Sequence, residues 1–77
     1  MDFSDAIKAL KFGQKVTNKN WNGKGMHLEM QRPDAHSKMT EPYIFISFSA
    51  NHPVYPGGKV AWLPSQLDLF SEDWEVV

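Results

Sequence analysis

The chain contains no cysteine. That excludes disulfide support, a thiolate nucleophile and a cysteine-ligated structural zinc. No apolar run approaches the roughly 18 residues that a membrane-spanning helix needs. The segment Met1 to Leu10 carries Asp2 and Asp5 among its apolar positions, so it does not read as a signal peptide. Neither sign of charge dominates: 8 Lys and Arg stand against 9 Asp and Glu, for a net charge of −1. Long-range attraction to a nucleic-acid polymer or an acidic membrane is therefore not expected. The three histidines, His27, His36 and His52, are too widely and irregularly spaced for a metal-ligand motif. No G-x-S-x-G nucleophile elbow occurs. The carboxylates Asp68, Glu72, Asp73 and Glu75 read as a solvated face and helix-end charges. No catalytic residue, no metal and no cofactor are expected.

Seventy-seven residues make one domain, expected over 1–77. A chain of this size buries only about 60% of its unfolded surface, which is a marginal core. Small domains add disulfides, metals or partner chains. With the first two excluded, association into a homo-oligomer is the expected support. Apolar residues make up 42% and aromatic residues 13% of the sequence, a globular composition.

Phe3, Ala6, Ile7 and Leu10 fall on one helical face, predicting a helix over residues 3–12. Asp2 or Ser4 supplies its N-cap and Gly13 its left-handed C′ residue. Lys15 to Thr17 reads as a short strand, Asn18-Lys19-Asn20 as a turn, and Asn22-Gly23 as a hairpin signal. Met26, Leu28 and Met30 alternate with His27, Glu29 and Gln31, predicting a half-buried strand. Residues 32–42 read as a loop, Tyr43 to Ala50 as the strongest strand, and Asn51 to Gly58 as a second loop. Val60 and Trp62 share a strand face. Pro64 suits the first turn of a short helix running through Leu67 and Phe70, with Ser65 and Asp68 as a capping pair. Trp74 and Val76 alternate with Glu75 and Val77 on a terminal strand. The expected class is α+β: an N-terminal helix, an antiparallel sheet of about five short strands, and a short second helix near the C-terminus.

Two features invite a ligand. Asn22-Gly23-Lys24-Gly25 offers backbone N–H groups and an ammonium that suit a phosphate, although it is equally an ordinary hairpin turn. Pro56-Gly57-Gly58-Lys59 has the same composition and the same two readings. Of the three tryptophans, Trp74 and Trp62 suit a core. Trp21, set among turn residues beside glycines, suits stacking on a ligand ring. Residues 1–24 hold five Lys and two acids, and residues 65–77 hold four acids and no base. A basic patch near Trp21 would face an anion; alternatively, the two ends would attract one another within a dimer.

Four blocks occur in order: F-x-x-A-x-x-A-L-K-x-G-x-K-V (Phe3 to Val16), W-N-G-K-G-M (Trp21 to Met26), W-L-P-S-Q-x-D-L (Trp62 to Leu69) and E-D-W-E-V-V (Glu72 to Val77). Together they resemble a family of small phage and prophage proteins that includes the second type of Thoeris anti-defence protein. The resemblance implies a sponge. Such proteins bind the cyclic ADP-ribose-type signal of Thoeris immunity without cleaving it, and some relatives bind cyclic dinucleotides of CBASS. It also implies a homotetramer, with a dimer as the alternative, pockets formed between protomers, and a place of action in the cytoplasm of the infected bacterium. On this resemblance Trp21 packs on base or ribose, while Asn22, Gly23, Lys24, Gly25 and Met26 surround polar oxygens. Ser65, Gln66 and Asp68 then read adenine or ribose hydroxyls. Relatives commonly carry an Arg shortly before the W-N-G-K-G block, where this chain has Thr17-Asn18-Lys19-Asn20. If that Arg meets phosphate, Lys19 or Lys24 stands in for it as a point charge. Residues 31–58 match no part of the pattern. The rival readings are a phage protein that binds and inhibits a host protein, and a phosphodiesterase-like enzyme acting on the same signal.

Overall fold

The structure, a computed structural model, describes residues 1–21 and 25–77. Helix α1 spans Phe3–Lys11. Of the two N-cap candidates the chain uses Asp2, whose carboxylate accepts the Asp5 N–H at 2.9 Å. The helix closes at Phe12, and Gly13 follows with φ +85°, the left-handed conformation that a glycine adopts without steric cost. Arg32 donates to the Lys11 carbonyl at 2.8 Å and so brings a cation to the negative end of the helix.

Five strands follow: β1 (Val16–Asn18), β2 (His27–Gln31), β3 (Tyr43–Ser47), β4 (Lys59–Ala61) and β5 (Trp74–Val76), with helix α2 (Gln66–Phe70) between the last two. They form one sheet in the order β4-β3-β2-β1-β5, and every neighbouring pair is antiparallel. The register sets Val16 beside Leu28, Leu28 beside Ile46 and Ile46 beside Val60, so these residues share a face. Helix α1 covers that face with Ala6, Ala9 and Leu10, which join Val16, Leu28 and Trp74 in the buried core. On the opposite face Glu75 stands beside Thr17, and His27, Ser47 and Lys59 stand in a row.

The elements match the expected class, and several boundaries move. Strand β1 starts one residue later and takes in Asn18, which the sequence places in a turn but which is buried in the sheet. Strand β3 stops at Ser47 rather than Ala50 because the chain turns at Ser49, whose carbonyl accepts the N–H groups of both His52 and Gly57. Strand β2 begins at His27 rather than Met26, and β4 ends at Ala61, although the Trp62 N–H still bonds the Ile44 carbonyl at 3.0 Å. Pro64 lies outside α2, before its N-cap Ser65. The link from β1 to β2 covers residues 19–26; its expected Asn22-Gly23 turn lies outside the described residues. The basic and acidic ends meet within one chain rather than only between copies: β1 pairs with β5, and Lys19 Nζ lies 3.9 Å from Glu75 Oε2. Among the described residues no helix is long and apolar enough to cross a membrane.

Candidate functional site

The site grows from α2. Ser65 and Asp68 form a reciprocal cap, in which Ser65 Oγ accepts the Asp68 N–H and Asp68 Oδ2 accepts the Ser65 N–H. This fixes the Asp68 carboxylate, and its other oxygen accepts the Trp21 Nε1–H at 3.1 Å. The Asp68 backbone carbonyl accepts the Trp74 Nε1–H at 3.0 Å. One residue thus ties two indoles to α2. The rings of Trp21 and Trp74 meet edge to face, with centroids 5.3 Å apart at 86°. Trp74 in turn touches Phe3 and Trp62, at 5.5 and 5.8 Å.

Burial works to raise the Asp68 pKa, but the hydrogen bonds from the Ser65 backbone, the Trp21 indole and the Ser65 hydroxyl together outweigh it. The net result lies below the ordinary value of 3.8. A carboxylate with a depressed folded pKa stabilises the fold fully above its unfolded pKa and loses that contribution as pH falls through the folded value. Acid titration below about pH 4 is therefore expected to detach Trp21 from α2. Tryptophan fluorescence should show this as a transition in the wild type that is absent from Asp68→Asn.

Two adjoining cavities share Trp21 and Asp68. The larger, about 600 Å³, is also lined by Ser65, Gln66, Leu67 and Phe70. Its polar floor is a network in which Asn18 Nδ2 donates to Ser71 Oγ at 2.9 Å and Asn20 Nδ2 donates to Asp73 Oδ2 at 2.8 Å. The smaller, about 390 Å³, is walled by Met26, Ile46, Val60, Trp62 and Leu63. A volume of several hundred Å³ suits a drug-sized or nucleotide-sized ligand. The described lining of the larger cavity holds two carboxylates, Asp68 and Asp73, and no Lys or Arg.

Of the residues expected at a site, Trp21, Ser65, Gln66 and Asp68 converge on the larger cavity and Met26 lines the smaller. Gly25 is exposed and borders neither of these two; it lies against Ser49 with φ +86°. Asn22, Gly23 and Lys24 lie outside the described residues. Lys19 faces Glu75 instead of either cavity. Asn18, Asn20 and Asp73 contribute to the site without having been singled out, and so do Leu67 and Phe70. Among the described residues no group of three or more His, Asp or Glu could hold a metal ion.

The chain is thus a small α+β protein with an aromatic, amide- and carboxylate-lined cavity against a short capped helix. Residues 1–77 match the Thoeris anti-defense 2-like domain, and the chain belongs to that family. A relative, Thoeris anti-defense 2 of Bacillus phage SP01, is 34% identical over 90 aligned positions that cover 100% of this chain and 94% of the relative.

Proposed function

We propose that this is a phage anti-defence protein that binds the cyclic ADP-ribose-type signal of Thoeris immunity and holds it intact, away from its effector. The observation that carries the reading is the cavity of about 600 Å³ in which Trp21, Gln66 and Asp68 converge, in a chain of the Thoeris anti-defense 2-like family. The nucleoside portion enters that cavity. Trp21 supplies ring area, while amides and carboxylates suit ribose hydroxyls and an adenine amino group, leaving a wrong ligand with unpaired polar contacts. The two cavity carboxylates disfavour a pyrophosphate there. The segment Asn22-Gly23-Lys24-Gly25, whose composition offers backbone N–H groups and an ammonium, is assigned to it instead. No step of bond cleavage is required of any residue. The same cavity chemistry extends to a cyclic dinucleotide.

The working unit is a homo-oligomer, with a tetramer favoured over a dimer. Leu63, Leu67 and Phe70 are 90%, 86% and 81% exposed on the rim of the cavities. The chain exposes 5665 Å², against about 4,800 Å² for a folded monomer of its mass. A second copy seated on this rim covers the apolar side chains and encloses a ligand that one copy leaves half open. Sequestration takes place in the cytoplasm of the infected bacterium, where the signal is made.

The test is calorimetric titration with cyclic ADP-ribose isomers beside a panel of cyclic dinucleotides, followed by denaturation and mass analysis of the released ligand. Submicromolar binding at a fixed ratio per protomer, with ligand recovered whole, is expected. Leu67→Asp, assayed in parallel, should lower both the sedimenting mass and the affinity. Recovery of a cleaved product would make the protein an enzyme. No heat with any nucleotide would move the reading to a host-protein inhibitor.

A further inference from the structure

The loop between β3 and β4, residues 48–58, is organised around one imidazole. His52 Nδ1 accepts two backbone N–H groups, from Val54 at 3.2 Å and Tyr55 at 2.9 Å. This is the acceptor geometry that Asn or Asp side chains provide in turns, supplied here by a histidine. The ring packs 4.6 Å from Phe48 and 6.1 Å from Tyr55. The Ser49 carbonyl closes the loop by accepting the His52 N–H at 3.1 Å and the Gly57 N–H at 2.8 Å. Ser49 is also the seat of Gly25: a Cβ added at Gly25 would stand 3.0 Å from Ser49 Cβ. Ser49 thus links the His52 loop to Gly25.

We propose that His52 is a proton-sensitive positioning residue, whose neutral imidazole orders residues 48–58 and thereby fixes the seat of Gly25 at Ser49. A proton on Nδ1 competes with two N–H donors for one lone pair, so protonation releases Val54 and Tyr55. Histidine changes charge between about pH 5 and 8, where the backbone does not. Among the described residues the aromatic groups packed against the ring are Phe48, tilted at 39°, and the stacked phenol of Tyr55, neither of them a carboxylate or an ammonium. Lys59, which opens β4, turns to Ser47 Oγ at 3.3 Å, and His27 of β2 turns to Glu29 at 3.5 Å. The effect on ligand binding rests on the function proposed above; the effect on the loop does not.

The test follows amide protection factors and resonances of the full chain at pH 8 and pH 5, in the wild type, His52→Asn and His52→Ala. Asn keeps an acceptor and does not titrate. At pH 5 the wild type should lose protection at Val54 and Tyr55 by about tenfold or more, with the Gly25 resonance moving in step. His52→Asn should keep both at either pH, and His52→Ala should lack them at either pH. Protection that is equal at pH 8 and pH 5, or a Gly25 resonance that does not follow it, overturns the proposal. Titration with cyclic ADP-ribose forms the second arm, expected to weaken about tenfold at pH 5 in the wild type and to stay constant in His52→Asn. Failure of this arm at every pH, with the loop responding as stated, counts against the sponge and leaves the switch standing.

Discussion

Trp74→Ala is expected to unfold much of the population at 37 °C. Trp74 is 1% exposed and is the largest fully buried side chain of the core. It stands at the centre of an aromatic group, in contact with Phe3, Trp21 and Trp62. Truncating a buried tryptophan to alanine costs about 3–5 kcal/mol through lost transfer energy and the cavity left behind. A domain of this length has about 4–12 kcal/mol in all. The Asp68 carbonyl also loses its indole donor, so α2 loosens with the core. A thermal melt followed by circular dichroism should fall by at least about 15 °C. Trp74→Phe keeps most of the apolar volume and loses the N–H, so its drop should be less than half as large. Leu67→Ala, at a position 86% exposed, should change the stability of the isolated chain by no more than about 0.5 kcal/mol. A Trp74→Ala melt within a few degrees of the wild type would mean that the sheet and α1 hold without the aromatic centre.

Some parts of the structure are written locally and others are not. The α1 boundaries follow from signals within a few residues: the apolar period from Phe3 to Leu10, the Asp2 cap and the left-handed Gly13. The Ser65–Asp68 cap is equally local, three residues apart, and forms as its spacing predicts. The cavity is not local. Trp21 and Asp68 are 47 residues apart, and Asn20 and Asp73 are 53 apart. Each is legible as a turn or helix-end residue, while their meeting depends on β5 returning to pair with β1. Asn18 is the clearest case. Its type favours turns, yet the ladder to Trp74 places it inside the sheet, where Ser71 and Asn20 satisfy its amide. Helix α2 defeats pattern reading for another reason. An amphipathic reading turns Leu67 and Phe70 inward. The Asp68 bond to Trp21 faces the helix the other way and leaves both residues on the rim.

Trp21→Ala should lower affinity for the cyclic ADP-ribose signal by about 10- to 100-fold while leaving the fold and the oligomer in place. The indole borders both cavities, and its N–H is held by Asp68, so the ring is oriented before any ligand arrives. Stacking a base on an aromatic ring is worth about 1–3 kcal/mol, and a preoriented ring loses little entropy in doing so. Trp21 is only partly buried at the edge of the core, so its truncation should be milder for stability than that of Trp74. Trp21→Phe separates the two roles of the residue. Phenylalanine retains a stacking face but offers no donor to Asp68, whose Oδ1 then faces the cavity without its indole partner while Ser65 still holds Oδ2. Its loss should be smaller, about threefold to tenfold, and should shrink further in Trp21→Phe combined with Asp68→Asn, which removes the unpartnered charge. Calorimetry at matched folded fractions, checked by sedimentation, reads all three variants. Full affinity in Trp21→Ala would exclude stacking and shift the binding to the Gln66, Asn20 and Asp73 side of the cavity, where polar recognition alone would have to hold the ligand.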